Sequence, residues 1–183
     1  MALFVISGVQ AAGKSTVARL LAARLDKAVC VPGDAIRAMV VTGRLEMTPD
    51  ADDAAIGQLL LRYEAALAVA AVYLRAGFHA VVEDVIVGPV LGDFLAMVPV
   101  PELHLVVLDP DGEAIAEREA GRPKTAYGGA WTVGGLQDVL RTSTERLGLW
   151  LDSSGLSPEQ TVDRIMDDLS ASLVHGTPRV RER

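Results

Sequence analysis

The chain has 183 residues, half of them apolar, and a formal net charge of −7. That length suits one domain with a substantial core, and an acidic balance argues against a broad nucleic-acid surface, which needs a basic face. A single cysteine, Cys30, excludes an intramolecular disulfide and fits a reducing, cytoplasmic setting; it lies in an apolar run and is read as packed. No apolar stretch is read as reaching the ~20 residues of a membrane span, and the first motif begins too early for a cleaved leader, so neither membrane nor targeting segment is expected.

In chain order, Leu3–Ser7 reads as a short buried strand. It runs into Gly8-Val9-Gln10-Ala11-Ala12-Gly13-Lys14-Ser15-Thr16, which fits the phosphate-binding pattern G-x-x-x-x-G-K-[ST] at every fixed position. The glycines let the backbone wrap a phosphate closely, and the helix that follows adds a field favourable to anions. Lys14 would reach the β/γ-phosphates and Ser15 would take a position on Mg²⁺. Val17, Leu20, Leu21 and Leu25 place a helix over Lys14–Leu25. Ala28–Val31 is a second strand, closed by Pro32-Gly33, with a helix from Asp34 to Val41. A polar loop over 43–53 precedes a long Ala/Leu-rich helix, Asp53–Ala76, that could supply a homodimer face. Ala80–Val85 and Leu103–Leu108 are further strands, Asp111–Gly121 and Leu136–Leu147 further helices, and Leu149–Leu151 a fifth strand. Ser157-Pro158-Glu159 opens a last helix, and residues 175–183 form a basic tail.

Apolar strands separated by helices point to a parallel sheet covered on both sides, with ligands at the strands' carboxyl ends. Three clusters besides the phosphate loop fall there. Asp34 and Arg37, three apart at a helix start, share nearly one face. Asp34 is either a helix N-cap or a carboxylate that takes the proton of an attacking hydroxyl, and Arg37 would orient the acceptor. Glu83 and Asp84 end the third strand beside the phosphate loop, where a Mg²⁺ ligand belongs. Their side chains should point to opposite faces; Asp84 is favoured for the acceptor or metal side, with Glu83 as the rival. Arg118 and Arg122 are four apart on a helix that Gly121 and Pro123 should end. They either steady the transferring phosphoryl group or pair with Glu113, Glu117 and Glu119 as a solvated face. Tyr127 and Trp131 either wall an acceptor pocket or pack in the core.

On these residues the chain resembles the P-loop kinases of the nucleoside-monophosphate-kinase type, including shikimate and gluconate kinases and chloramphenicol phosphotransferase. The resemblance runs from the first strand to the last helix. It implies a three-layer α/β/α fold over residues 1–174 with a five-stranded parallel sheet in the order 2-3-1-4-5 and a small lid near 111–135. It also implies ATP with Mg²⁺, Asp34 as general base, and Arg118 and Arg122 as lid arginines. The adenine would lie near Asp152–Gly155, with Ser153 among its contacts. The acceptor would be a small molecule bearing a hydroxyl, an antibiotic or a metabolite.

Two other readings stand beside it. An adenylate-kinase-like enzyme would carry an Asp-Gly-Phe-Pro-Arg run after the third strand; here the run is Glu83-Asp84-Val85-Ile86, so Arg37, Arg44 or Arg62 would have to hold an acceptor phosphate. The third reading is a non-catalytic ATP-binding regulator. A GTPase is excluded, because its Asn-Lys-x-Asp run needs an asparagine and the chain has none. His79 and His104, beside or inside apolar strands, are read as structural.

Overall fold

The computed structural model describes residues 1–121 and 131–175. Five strands form a parallel sheet: β1 (Leu3–Gly8), β2 (Ala28–Pro32), β3 (His79–Glu83), β4 (Glu102–Leu108) and β5 (Leu149–Leu151), in the order β2-β3-β1-β4-β5. This is the expected order, and the fold is the α/β P-loop kinase fold. A sixth strand, β6 (Leu173–His175), is an addition. It pairs antiparallel with residues 102–104 of β4, while β5 pairs with residues 106–108, so the two share one edge of β4.

Strands β1 and β4 are central because their apolar runs can be covered on both faces. Leu3, Phe4, Val5 and Ile6 are at most 2% exposed, and Leu105–Leu108 are fully buried. Helix α1 (Lys14–Arg24) packs with α7 (Pro158–Asp167); α3 (Asp53–Arg75) packs with α2 (Gly33–Ala38) and α4 (Val90–Met97). The remaining helices, α5 (Gly112–Ala120) and α6 (Val133–Ser143), pack on each other. His79 Nδ1 accepts from the Ala2 amide at 3.0 Å, and His104 bonds Ser172 Oγ at 2.9 Å while stacking on Phe4, so both histidines serve the fold.

Several expected boundaries differ. Helix α2 stops at Ala38 rather than Val41. Helix α6 begins at Val133, capped by Thr132, whose side chain accepts from the Gly135 amide. Gly134 and Gly135 therefore sit in its first turn and do not interrupt it. Helix α4 lies within 88–99, where the sequence reading placed no element; its Leu91 and Phe94 are buried, and Phe94 sets an edge on Tyr63 at 5.5 Å. Helix α3, at 23 residues, is long and apolar enough by length and composition to cross a membrane, unlike the sequence reading. In the fold, Leu59, Tyr63, Ala66, Leu67 and Ala70 of α3 are buried, and it packs on β2 and β3.

Ser7 locks the end of β1 to the segment after β3. Its buried hydroxyl donates to Ile86 O at 2.7 Å and accepts from Ile86 N at 3.2 Å. Ser7→Ala leaves two buried backbone groups unpaired, and urea denaturation should show a loss of about 2 kcal/mol.

Candidate active site

The phosphate loop is shaped by backbone that most residues avoid. Gly8 takes φ 142° and Gly13 φ 95°, and Ala11 is left-handed at φ 60° despite its Cβ. A Cβ on Gly8 would lie 2.5 Å from Leu108 O, so only glycine allows β1 to pass into the loop beside β4. Left-handed Ala11 costs about 1–2 kcal/mol, a strain found where backbone is shaped for a ligand. Gly13 is the N-cap of α1 and offers no side chain to its first amides, which stay available to an anion.

Lys14 is buried at 8% exposure, and its Nζ donates to Val9 O at 2.8 Å, which lays it back along the loop. Ser15 Oγ donates to Glu83 Oε1 at 2.9 Å. This geometry gives the serine hydroxyl to Glu83, not to Asp84, the carboxylate favoured from sequence. The two side chains do diverge, as neighbours along an extended chain should: Glu83 reaches Ser15 and Asp84 reaches Arg62. Asp84 instead accepts from Arg62 Nη2 at 2.8 Å and from the Val85 amide at 2.7 Å. Its second oxygen is buried and has no partner among the described residues. A Cβ on Gly33 would fall 1.9 Å from that oxygen, so the glycine preceding Asp34 is what lets β2 and Asp84 approach.

Burial drives the pKa values of both acids. It pushes the Glu83 carboxyl above its ordinary value, against the opposing pull of Lys14 and the Ser15 hydrogen bond. It pushes Asp84 up in the same way, against Arg62. The charge of Asp34 raises both further, which places it near them.

Asp34 lies in the first turn of α2, but Pro32 is the N-cap and no side chain caps that helix. The capping alternative is therefore not what the fold uses. Asp34 is exposed, makes no hydrogen bond or ion pair among the described residues, and lines the cleft with the phosphate loop. Arg37, on the same helix, is held by Glu46, which also takes Arg44 at 3.3 Å.

Arg118 does not join a solvated face. Its Nη1 donates to Ala12 O at 3.1 Å and its Nη2 to Ser153 O at 2.6 Å, tying the phosphate loop to the segment after β5. Ser153 is buried, and its own hydroxyl has no partner among the described residues. Beside it Asp152 accepts from the Ser154 hydroxyl and amide, which hold its carboxyl below the usual range. Arg122 and Tyr127, with the rest of residues 122–130 in the middle of the expected lid, fall outside the described residues. Trp131 lines the cleft and donates from Nε1 to Met47 O at 3.0 Å. The cleft measures about 1470 Å³, above the ~300–1,000 Å³ of a usual ligand pocket.

A family model described as "AAA domain" matches residues 3–131, well over half of the chain. The chain belongs to the AAA domain family. A search of curated protein sequences returned no match. Among solved structures, a sugar kinase from Janibacter sp. HTCC2649 superposes with a TM-score of 0.67 at 20% identity, over 94% of this chain and 96% of its own. The tunicamycin resistance protein of Deinococcus radiodurans gives 0.65 at 17% identity, over 94% and 98%. Shikimate kinase from Aquifex aeolicus vf5 gives 0.59 at 16% identity, over 92% and 96%. At these identities the likeness is one of fold. This AAA domain thus shares the architecture of P-loop small-molecule kinases.

Sequence reasoning missed the division of labour between Glu83 and Asp84. It also named Arg62 only as a substitute phosphate grip, because an arginine ten residues into a long helix carries no local signal of its carboxylate partner.

A buried carboxylate with a raised pKa makes a signed prediction. Between its ordinary 4.5 and its raised value in the fold, Glu83 binds a proton more tightly folded than unfolded. Stability of the nucleotide-free chain should fall as pH rises through that window. Glu83→Gln should flatten the slope in part, Asp84 supplying the rest, and should raise Tm at neutral pH. Thermal melts from about pH 5 to pH 8 test this; an unchanged slope with a lower Tm would contradict it.

Proposed function

We propose that this AAA domain is a cytoplasmic, ATP-dependent phosphotransferase that moves the γ-phosphoryl group to a hydroxyl of a small molecule. The observation carrying this reading is Asp34: an exposed carboxylate with no hydrogen bond or ion pair among the described residues, sharing one large cleft with the phosphate loop and the Ser15–Glu83 contact. A phosphate acceptor is already anionic and needs no base, whereas an alcohol gains from one.

In this reading Lys14 swings from Val9 O onto the β/γ-phosphates, and the loop amides from Gly8 to Thr16, Gln10, Ala11 and Ala12 included, cradle them. Arg118, already against the loop, steadies charge on the phosphoryl oxygens, and Ser153 borders the adenine. Ser15 and Glu83 offer two hard oxygen donors 2.9 Å apart, the donor type Mg²⁺ takes, so they would hold the ion together with the substrate phosphates. Such an ion would neutralise phosphate charge. Asp84, engaged by Arg62, supports that wall from behind.

Asp34 accepts the acceptor's hydroxyl proton. The acceptor oxygen forms a bond to the γ-phosphorus while the bond from that phosphorus to the β,γ-bridging oxygen breaks, its electron pair leaving with ADP. Arg37 spends one nitrogen on Glu46 and has further N–H groups to donate to the acceptor oxygen.

Lys14→Ala should abolish transfer. Asp34→Asn should lower kcat by about 10²–10⁴-fold with ATP binding by calorimetry within about twofold of the parent chain. Intact turnover in Asp34→Asn would remove the general-base role, and intact turnover in Lys14→Ala the phosphotransferase itself.

A further inference from the structure

The acceptor half of the cleft is built from α2, residues 39–51, the start of α3, the segment after β3, Trp131 and α6. Among the described residues, the arginines that line it, Arg37 and Arg62, are each already matched by a carboxylate of this chain. Glu46 holds both Arg37 and Arg44, and Asp84 holds Arg62. These are the three arginines that the sequence offers to hold an acceptor phosphate; Arg37 and Arg62 line the cleft, and Arg44 joins them through Glu46. With Asp34 added, the acids on this side number as many as the arginines, and Glu83 stands just behind. An anionic acceptor would have to share an arginine whose charge a carboxylate already balances, and to approach that carboxylate, at a cost that like charges raise further.

The rest of that half is mostly apolar; of its polar members, Gln58 is engaged by Leu45 N and Gly43 O, and Thr48 stands beside Met47. Met39, Met47, Ile56, Leu59, Val139 and Trp131 line it. Met39 is 70% exposed on its rim, a placement with no packing role. Methionines adapt to irregular apolar ligands, and the Trp131 ring is fixed by its bond to Met47 O. Multiple hydroxyls, as on a sugar, would find few partners on such a wall, and unpaired polar groups are costly there.

Resting on the phosphotransferase reading above, we infer that the acceptor is an uncharged alcohol with a predominantly apolar, aromatic or aliphatic body. Its hydroxyl reaches Asp34 and its body lies against the Met–Trp wall. The proton and phosphoryl transfers are those already described; the wall decides which alcohol arrives.

The test uses the full chain, loaded with a non-hydrolysable ATP analogue, and the neutral fluorescent dye N-phenyl-1-naphthylamine as a reporter of the apolar wall. Phenylalkanols of increasing length should displace the dye, each added methylene tightening competition about fourfold. The same series should stimulate ADP release with ATP. AMP, shikimate and glucose should neither displace the dye nor be phosphorylated. Ile56→Glu should weaken the alcohols at least tenfold, with circular dichroism showing that the chain is still folded. Glu46→Gln frees Arg37 and Arg44, and should let AMP or shikimate compete at least fivefold better than in the parent chain. A flat alcohol series, or displacement and phosphorylation by AMP, shikimate or glucose in preference, would overturn the acceptor class while leaving the kinase reading in place. Absence of any heat with the ATP analogue would instead remove the phosphotransferase reading, and with it the alcohol's role as acceptor.

Discussion

Everything in this cleft is referred to a short run of unusual backbone between β1 and α1, where Gly8, Ala11 and Gly13 all hold positive φ. That conformation turns successive amides inward and brings the uncapped start of α1 to the same point. It is possible because β4 lies directly beside the end of β1, close enough that any Cβ on Gly8 would strike Leu108 O. The central position of β1 and β4, itself a consequence of their unbroken apolar runs, therefore sets the anion site. The same packing fixes Lys14, Ser15 and Arg118 around it.

The second constraint is the placement of negative charge. Three carboxylates, Asp34, Glu83 and Asp84, converge near one lysine, and their environments separate their roles. Glu83 touches Ser15 and is buried, so its charge is held at a cost that a cation beside the phosphates would offset. Asp84 is engaged by Arg62 and packed against Gly33, which makes it part of the wall. Asp34 alone stays exposed and unbonded among the described residues. Groups of one chemical type thus take different duties through burial and neighbours. The described arginines lining this side of the cleft, Arg37 and Arg62, are paired within the chain, and under the inference above the apolar wall beside them selects the second substrate.

Local sequence determined the phosphate loop, the first helix and the strands, because glycine spacing and apolar runs act over a few residues. It also determined that Asp34 follows β2 and so belongs at the carboxyl end of the sheet. Tertiary structure decided which of two adjacent acids meets Ser15, since that depends on how β3 is set against β1, a register between segments nearly eighty residues apart. It decided that Arg37, Arg44 and Arg62 are already engaged, that Gly134 and Gly135 begin a helix, and that residues 90–97 form one. These outcomes rest on partners far along the chain. Ion pairing and burial depend on distances in space, and no short window of sequence records them.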